Sequence, residues 1–163
     1  MPHPYAFYRP GEYPADHDVG YLMKRIVNGL AHDIDALLTP QGLTHAQWMP
    51  LYKLHLGQGS TVAELADMCL MDAGAMTRTL DRLERKGLVR RTRSVTDRRV
   101  VDLALTPEGR CAAARIPFVL CEVLDAHLKG FSKDECSMLQ SFLSRMLVNA
   151  AGSRSQRVKQ TTQ

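Results

Sequence analysis

Apolar residues recur along this chain at two spacings, and the change between them divides it. From the first long segment they fall at Val19, Leu22, Met23, Ile26, Val27, Leu30, Ile34, Leu37 and Leu38. That is the 3.6-residue period of a long amphipathic helix, which Pro40 and Gly42 end. Thr44 to Gln47 has the form of a capping box, with a hydroxyl at the N-cap and an amide at the third helical position. It opens a second helix carrying Trp48, Leu51, Tyr52 and Leu54, which stops near Gly57 to Gly59. Thr61 to Glu64 repeats the box and starts a short helix through about Met68. Asp72 can cap a fourth helix, with Met76, Leu80 and Leu83 on its inner stripe and Gly87 as its stop.

The period then drops to two. Leu88 to Arg93 and Val100 to Leu105 read as strands, with Val101, Leu103 and Leu105 alternating in the second. Thr106-Pro107 restarts helix in the favoured order of cap and then proline. Ile116, Leu120, Val123 and Leu124 give that helix its apolar face, with a kink expected at Pro117. Ser132 to Glu135 is a third box, before a last helix holding Cys136, Leu139, Phe142, Leu143, Met146 and Leu147. Residues 1–16, rich in Pro and Tyr, read as an extended N-terminal arm, its aromatics Tyr5, Phe7, Tyr8 and Tyr13 expected against a partner subunit. Residues 152–163 read as a disordered tail.

Four helices, two strands and two helices predict a mainly α fold with a small β-hairpin wing. The arrangement is a winged helix-turn-helix over 59–106, flanked by N- and C-terminal dimerisation helices in 17–58 and 107–150. In a monomer of this size the end helices have too little apolar surface to pack against, which implies a homodimer.

Composition narrows the class. The 163 residues suit one compact unit with long connecting helices. No apolar run approaches the ~18–20 residues of a membrane span, and the first twenty residues lack an apolar signal core. A cytoplasmic protein without a membrane partner is expected. Cys69, Cys111, Cys121 and Cys136 form no CxxC pair and read as reduced thiols, and no HxxxH pair exists. Neither a metal nor a cofactor is implied. The absence of a glycine-rich phosphate loop and of GxSxG points away from an enzyme, with no catalytic residues to name.

Charge is the most informative quantity. Residues 1–76 hold four basic and eight acidic groups, whereas residues 77–100 hold nine basic and three acidic. So local a basic segment implies a polyanion, and its place on a recognition helix and hairpin implies double-stranded DNA. Ala73 and Ala75 leave the helix start small enough to approach a groove. Thr77, Arg78 and Arg82 share the outer face, where arginine can pair with guanine or phosphate. Arg91 and Arg93 are expected to meet phosphates along the strand, with Asp97, Arg98 and Arg99 at the hairpin tip. An arginine there can enter the A·T-rich minor groove, and Asp97 is placed to hold Arg99 extended.

The stretch LDRLERKGLVRRTRSVTDRRVVDLALTPEGR, Leu80 to Arg110, with TVAELADMC ahead of it, resembles the MarR family of bacterial transcription regulators. The resemblance spans about Val19 to Ala150 and rests on the DxR pattern before an LTPEG-type helix start. It implies a homodimer with an interface built from both chain ends, and it implies that Asp97 and Arg99 are the wing-tip pair. It further implies a repressor that small molecules, commonly phenolic or aromatic acids, release from DNA. Tyr21 and Arg25 on the first helix, with Trp48, Met49 and Tyr52 on the second, offer flat apolar walls and one cation for such an acid. By resemblance, Asp72 and Met76 border the same pocket. The expected role is control of an aromatic catabolic pathway; the alternative is repression of efflux or stress genes in response to lipophilic drugs or thiol oxidation.

Overall fold

The computed structural model describes residues 7–14, 16–93 and 101–161, with side chains described over that range except at 10, 93 and 153–161. Six helices and one hairpin are described: α1 (Val19–Leu38), α2 (His45–His55), α3 (Val62–Met68), α4 (Ala73–Arg85), β1 (Val89–Arg93), β2 (Val101–Leu105), α5 (Pro107–His127) and α6 (Lys133–Thr161). The fold is the mainly helical winged helix-turn-helix that the periodicity predicts.

The helix starts follow from local hydrogen bonding. Thr44 N–H donates to Gln47 Oε1 at 3.3 Å, Thr61 N–H to Glu64 Oε2 at 3.1 Å, and Ser132 N–H to Glu135 Oε2 at 2.7 Å. Asp18 caps α1, its Oδ1 accepting from Gly20 N–H at 2.7 Å and Tyr21 N–H at 3.1 Å. The arm differs from the extended form expected of it. Pro10–Glu12 makes a 3₁₀ turn, Tyr13 bonds Asp18, and Val19 N–H donates to Tyr8 Oη at 3.3 Å. Tyr8 and Tyr13 thus settle on the chain's own α1 start: Tyr8 Oη accepts from a helix-start N–H that has no partner within the helix, and the Tyr13 hydroxyl donates to the Asp18 carboxylate.

The chain divides into two compact units, residues 1–124 and 125–163, with the boundary inside α5. In the first, Leu38, Leu51, Leu65, Met76, Leu80, Leu83 and Ile116 are fully buried and draw α1 to α5 onto one core. The strands pair antiparallel, Val89 opposite Leu105, Arg91 opposite Leu103 and Arg93 opposite Val101. Leu103 N–H also donates to Ser60 C=O at 2.7 Å, so the chain entering α3 lies along β2. Sequence pattern carried no sign of that contact.

The passage from β2 into α5 is tightly built. Thr106 N–H donates to Leu88 C=O at 3.1 Å, and its hydroxyl donates to Gly87 C=O at 2.6 Å while accepting from Gly109 N–H at 2.9 Å. Gly109 lies directly on the Leu88 carbonyl, where a Cβ would stand 2.8 Å from the carbonyl carbon. Threonine, proline and glycine in "LTPEG" are therefore a cap, a first helical residue and a close approach.

In the second unit α6 exposes Met138, Phe142, Leu147 and Val148. The helix continues through Gly152 to Thr161, which corrects the expected disordered tail. A single glycine costs a helix only ~1 kcal/mol, and Arg154, Gln156, Arg157, Lys159 and Gln160 are good helix formers.

Candidate nucleic-acid interface

α4 is the recognition helix of the fold. Asp72 Oδ1 accepts from Ala75 N–H at 2.8 Å and so starts it; Met76, Thr79, Leu80 and Leu83 are buried beneath. That stripe turns Thr77, Arg78, Arg82 and Arg85 to solvent, with Ala73 exposed and Ala75 half-buried at the helix start. Thr77 Oγ1 donates to Ala73 C=O at 2.8 Å. At the other end Lys86 Nζ donates to Gly42 C=O and, at 2.8 Å, to Gln47 Oε1. Gln47 is only 4% exposed, so Lys86 ties the end of α4 to the cap of α2.

α3 is short, and its start is held by Glu64. Hydrogen bonds from the backbone of Ser60 and Thr61 hold that carboxyl below the usual carboxylate range.

The hairpin distributes its arginines unequally. Val89 is buried, so its alternate neighbour Arg91 shares the inward side of β1, and Arg90 is exposed on the other. Arg91 Nη1 pairs with Asp81 Oδ1 and, at 3.1 Å, with Glu84 Oε2, while Nη2 donates to Thr77 C=O at 3.4 Å. Arg91 therefore faces α4, not outward as its place in the charge run suggests. The side chain of Arg93 and the residues Asp97, Arg98 and Arg99 lie outside the described residues.

The predicted effector residues are not brought together as one set. Met76 is fully buried in the core stripe, and Asp72 is the α4 cap. The Arg25 guanidinium lies 5.9 Å from the centre of the Tyr21 ring on α1. Trp48, Met49 and Tyr52 do converge, on a hollow of ≈ 420 Å³ completed by Lys53, Met68, Cys69, Leu70 and Leu120. Its cation is Lys53, whose Nζ donates to Gln58 Oε1 at 3.0 Å. Burial pushes the Cys69 thiol up, against the pull of nearby Lys53. The buried Trp48 indole N–H has no hydrogen-bond partner among the described residues. Sequence reasoning missed Lys53, Met68, Cys69, Leu70 and Leu120 as walls, since three helices and a turn contribute them.

A helix-turn-helix with a hairpin wing and a basic outer helix face defines this as a winged helix-turn-helix protein. The MarR family profile matches residues 43–101, which run from the loop before α2 to the start of β2. Among similar solved structures, the transcriptional regulator PA3341 is 31% identical, with a TM-score of 0.75, and the match covers 83% of this chain and 99% of that one. The transcriptional repressor CouR, solved bound to a DNA duplex, is 30% identical with a TM-score of 0.72, covering 80% and 92%. A mutant of MarR from E. coli, solved with operator DNA, is 28% identical with a TM-score of 0.72, covering 79% and 93%. This chain belongs to the MarR family.

Proposed function

We propose that this protein is a homodimeric, sequence-specific transcriptional repressor that binds a pseudo-palindromic operator and is released by a small aromatic acid. The observation that carries the DNA-binding part is the outer face of α4, where Arg78, Arg82 and Arg85 are exposed above a buried apolar stripe. Ala73, Ala75, Thr77, Arg78 and Arg82 are its groove-facing set, with Arg93, Arg98 and Arg99 along and at the tip of the hairpin and Asp97 positioning Arg99. The complexes of CouR and of E. coli MarR with DNA support the same docking here. Two recognition helices then reach successive major grooves about 34–36 Å apart.

Dimerisation rests on the exposed apolar residues Leu22, Ile26 and Val27 of α1 and Phe142, Leu147 and Val148 of α6. Such surface is costly to leave in water. Sedimentation should return twice the monomer mass; a monomer at micromolar concentration would count against it.

The ≈ 420 Å³ hollow is the seat of the effector. Trp48 and Tyr52 supply flat walls, and Lys53 replaces Arg25 as the cation for its carboxylate. The half-buried Cys69 thiol, its pKa raised by desolvation, yields thiolate less readily than a free cysteine, so this hollow suits an acid better than an oxidant. The decisive experiment is a mobility shift on a duplex selected by the protein from a randomised pool, repeated with Arg78→Ala, Arg99→Ala and a panel of aromatic acids. Arg99→Ala should weaken binding roughly tenfold or more through lost minor-groove contact. An effect within twofold removes Arg99 from the interface. An effector in the hollow should also change Trp48 fluorescence, and silence across the panel would refute this seat.

A further inference from the structure

The basic segment invites the view that every arginine in it touches DNA. Arg91 stands apart. Its side chain is 25% exposed, and three acceptors on α4 surround it: the Thr77 carbonyl, the Asp81 carboxylate and the Glu84 carboxylate. Residues 77, 81 and 84 are spaced i, i+4 and i+7, so they form one stripe along the side of the helix that meets β1. A guanidinium, with donors in a fixed planar fork, can bridge such a stripe; an ammonium cannot.

From this we infer that Arg91 is a positioning residue, which braces the first strand of the wing against the flank of the recognition helix and masks the two carboxylates there. Two consequences follow from the geometry. The wing takes its angle to α4 from these ion pairs and from the core residue Val89 beside them. Asp81 and Glu84 would otherwise oppose the approach of a polyanion, and Arg91 offsets them within the protein before DNA arrives. The register places this arginine: Val89 points into the core, and Arg91, two residues on, is the next position of the same parity on β1.

The inference rests on the DNA-binding reading, and its test separates the two. Affinity for the selected duplex is measured across a salt series for wild type, Arg91→Ala, Arg91→Lys and the double variant Asp81→Asn/Glu84→Gln. A brace predicts that Arg91→Ala weakens binding about tenfold with the salt slope unchanged, whereas a lost phosphate contact lowers that slope by about 0.9. Arg91→Lys keeps the charge but not the fork and should restore binding only in part. The double variant removes two negative charges near DNA, yet it should weaken binding because the brace is lost. Tighter or unchanged binding by that variant, or a slope lowered by about 0.9 in Arg91→Ala, overturns the inference.

Hydrogen exchange without DNA gives an independent readout. Amides of residues 89–92 should exchange faster in both Arg91→Ala and the double variant, and unchanged exchange in both overturns the brace whatever the DNA does. If wild type selects no duplex while exchange responds as expected, the DNA-binding reading fails and the brace stands.

Discussion

Gly109 offers a sharp test of how the wing is joined to the helix that follows it. In Gly109→Ala the new methyl group would fall on the Leu88 carbonyl, 2.8 Å from its carbon and 3.2 Å from Leu88 Cα. Ordinary contacts to those atoms are longer, and both partners are backbone, so α5 and β1 must separate by about an ångström. Overpacking of that kind costs ~1–3 kcal/mol. The same separation pulls on the Thr106 N–H to Leu88 bond and the Thr106 hydroxyl to Gly87 bond, worth ~1 kcal/mol each. Alanine returns ~1 kcal/mol as the better helix former. The net loss is about 2–4 kcal/mol, which for a chain of this length lowers Tm by roughly 10 °C. Thermal unfolding followed through Trp48, the single tryptophan and a residue of the first unit's core, reads it directly. A variant that melts at or above wild type would refute the close approach and the reading of the LTPEG glycine with it.

Two further outcomes follow from other junctions. Hydrogen bonds from the chain's own backbone hold the carboxyls of Asp18, Glu64 and Glu135 below the usual range, through Tyr21, Ser60 and Ser132 foremost. Their contribution is therefore complete above ordinary carboxylate values and is lost as pH falls through the lowered folded values, since the unfolded chain binds more protons in that window. Glu64→Gln should flatten the acid limb of the stability curve, and an acid limb unchanged or steeper than wild type would contradict the assignment. Lys86→Met keeps the stem but removes the donor to Gly42 and Gln47, and it should cost about 1 kcal/mol and a few degrees of Tm; an unaltered melting curve would show that this tie contributes nothing.

Much of the fold was legible because helix starts are local chemistry. Each capping box lies within four residues, and the inward stripe Met76, Leu80 and Leu83 repeats at helical spacing, so neither needs knowledge of distant partners. The end of α6 is hard to read for the converse reason: the sequence from Gly152 is polar, and only its summed helix propensity favours a helix on to Thr161. Arg91 shows a subtler failure. Its inward orientation follows from parity with Val89, but the arginines on either side of it mask that parity in a count of net charge. The hollow was legible only as its α2 wall. Lys53, Cys69 and Leu120 lie far apart in sequence, and their meeting depends on how α2, the turn after α3 and α5 pack, which no short-range pattern encodes.

The Thr106 to Gly109 junction ties the first turn of α5 to Gly87 and Leu88 at the foot of the hairpin, so the wing and this helix start from one fixed point. Leu120, on the wall of the hollow, lies eleven residues along α5 from Gly109, about 16 Å at 1.5 Å per residue. On the proposed seat of the effector, a body wedged against Leu120 would press on the same helix whose first turn holds the foot of the hairpin.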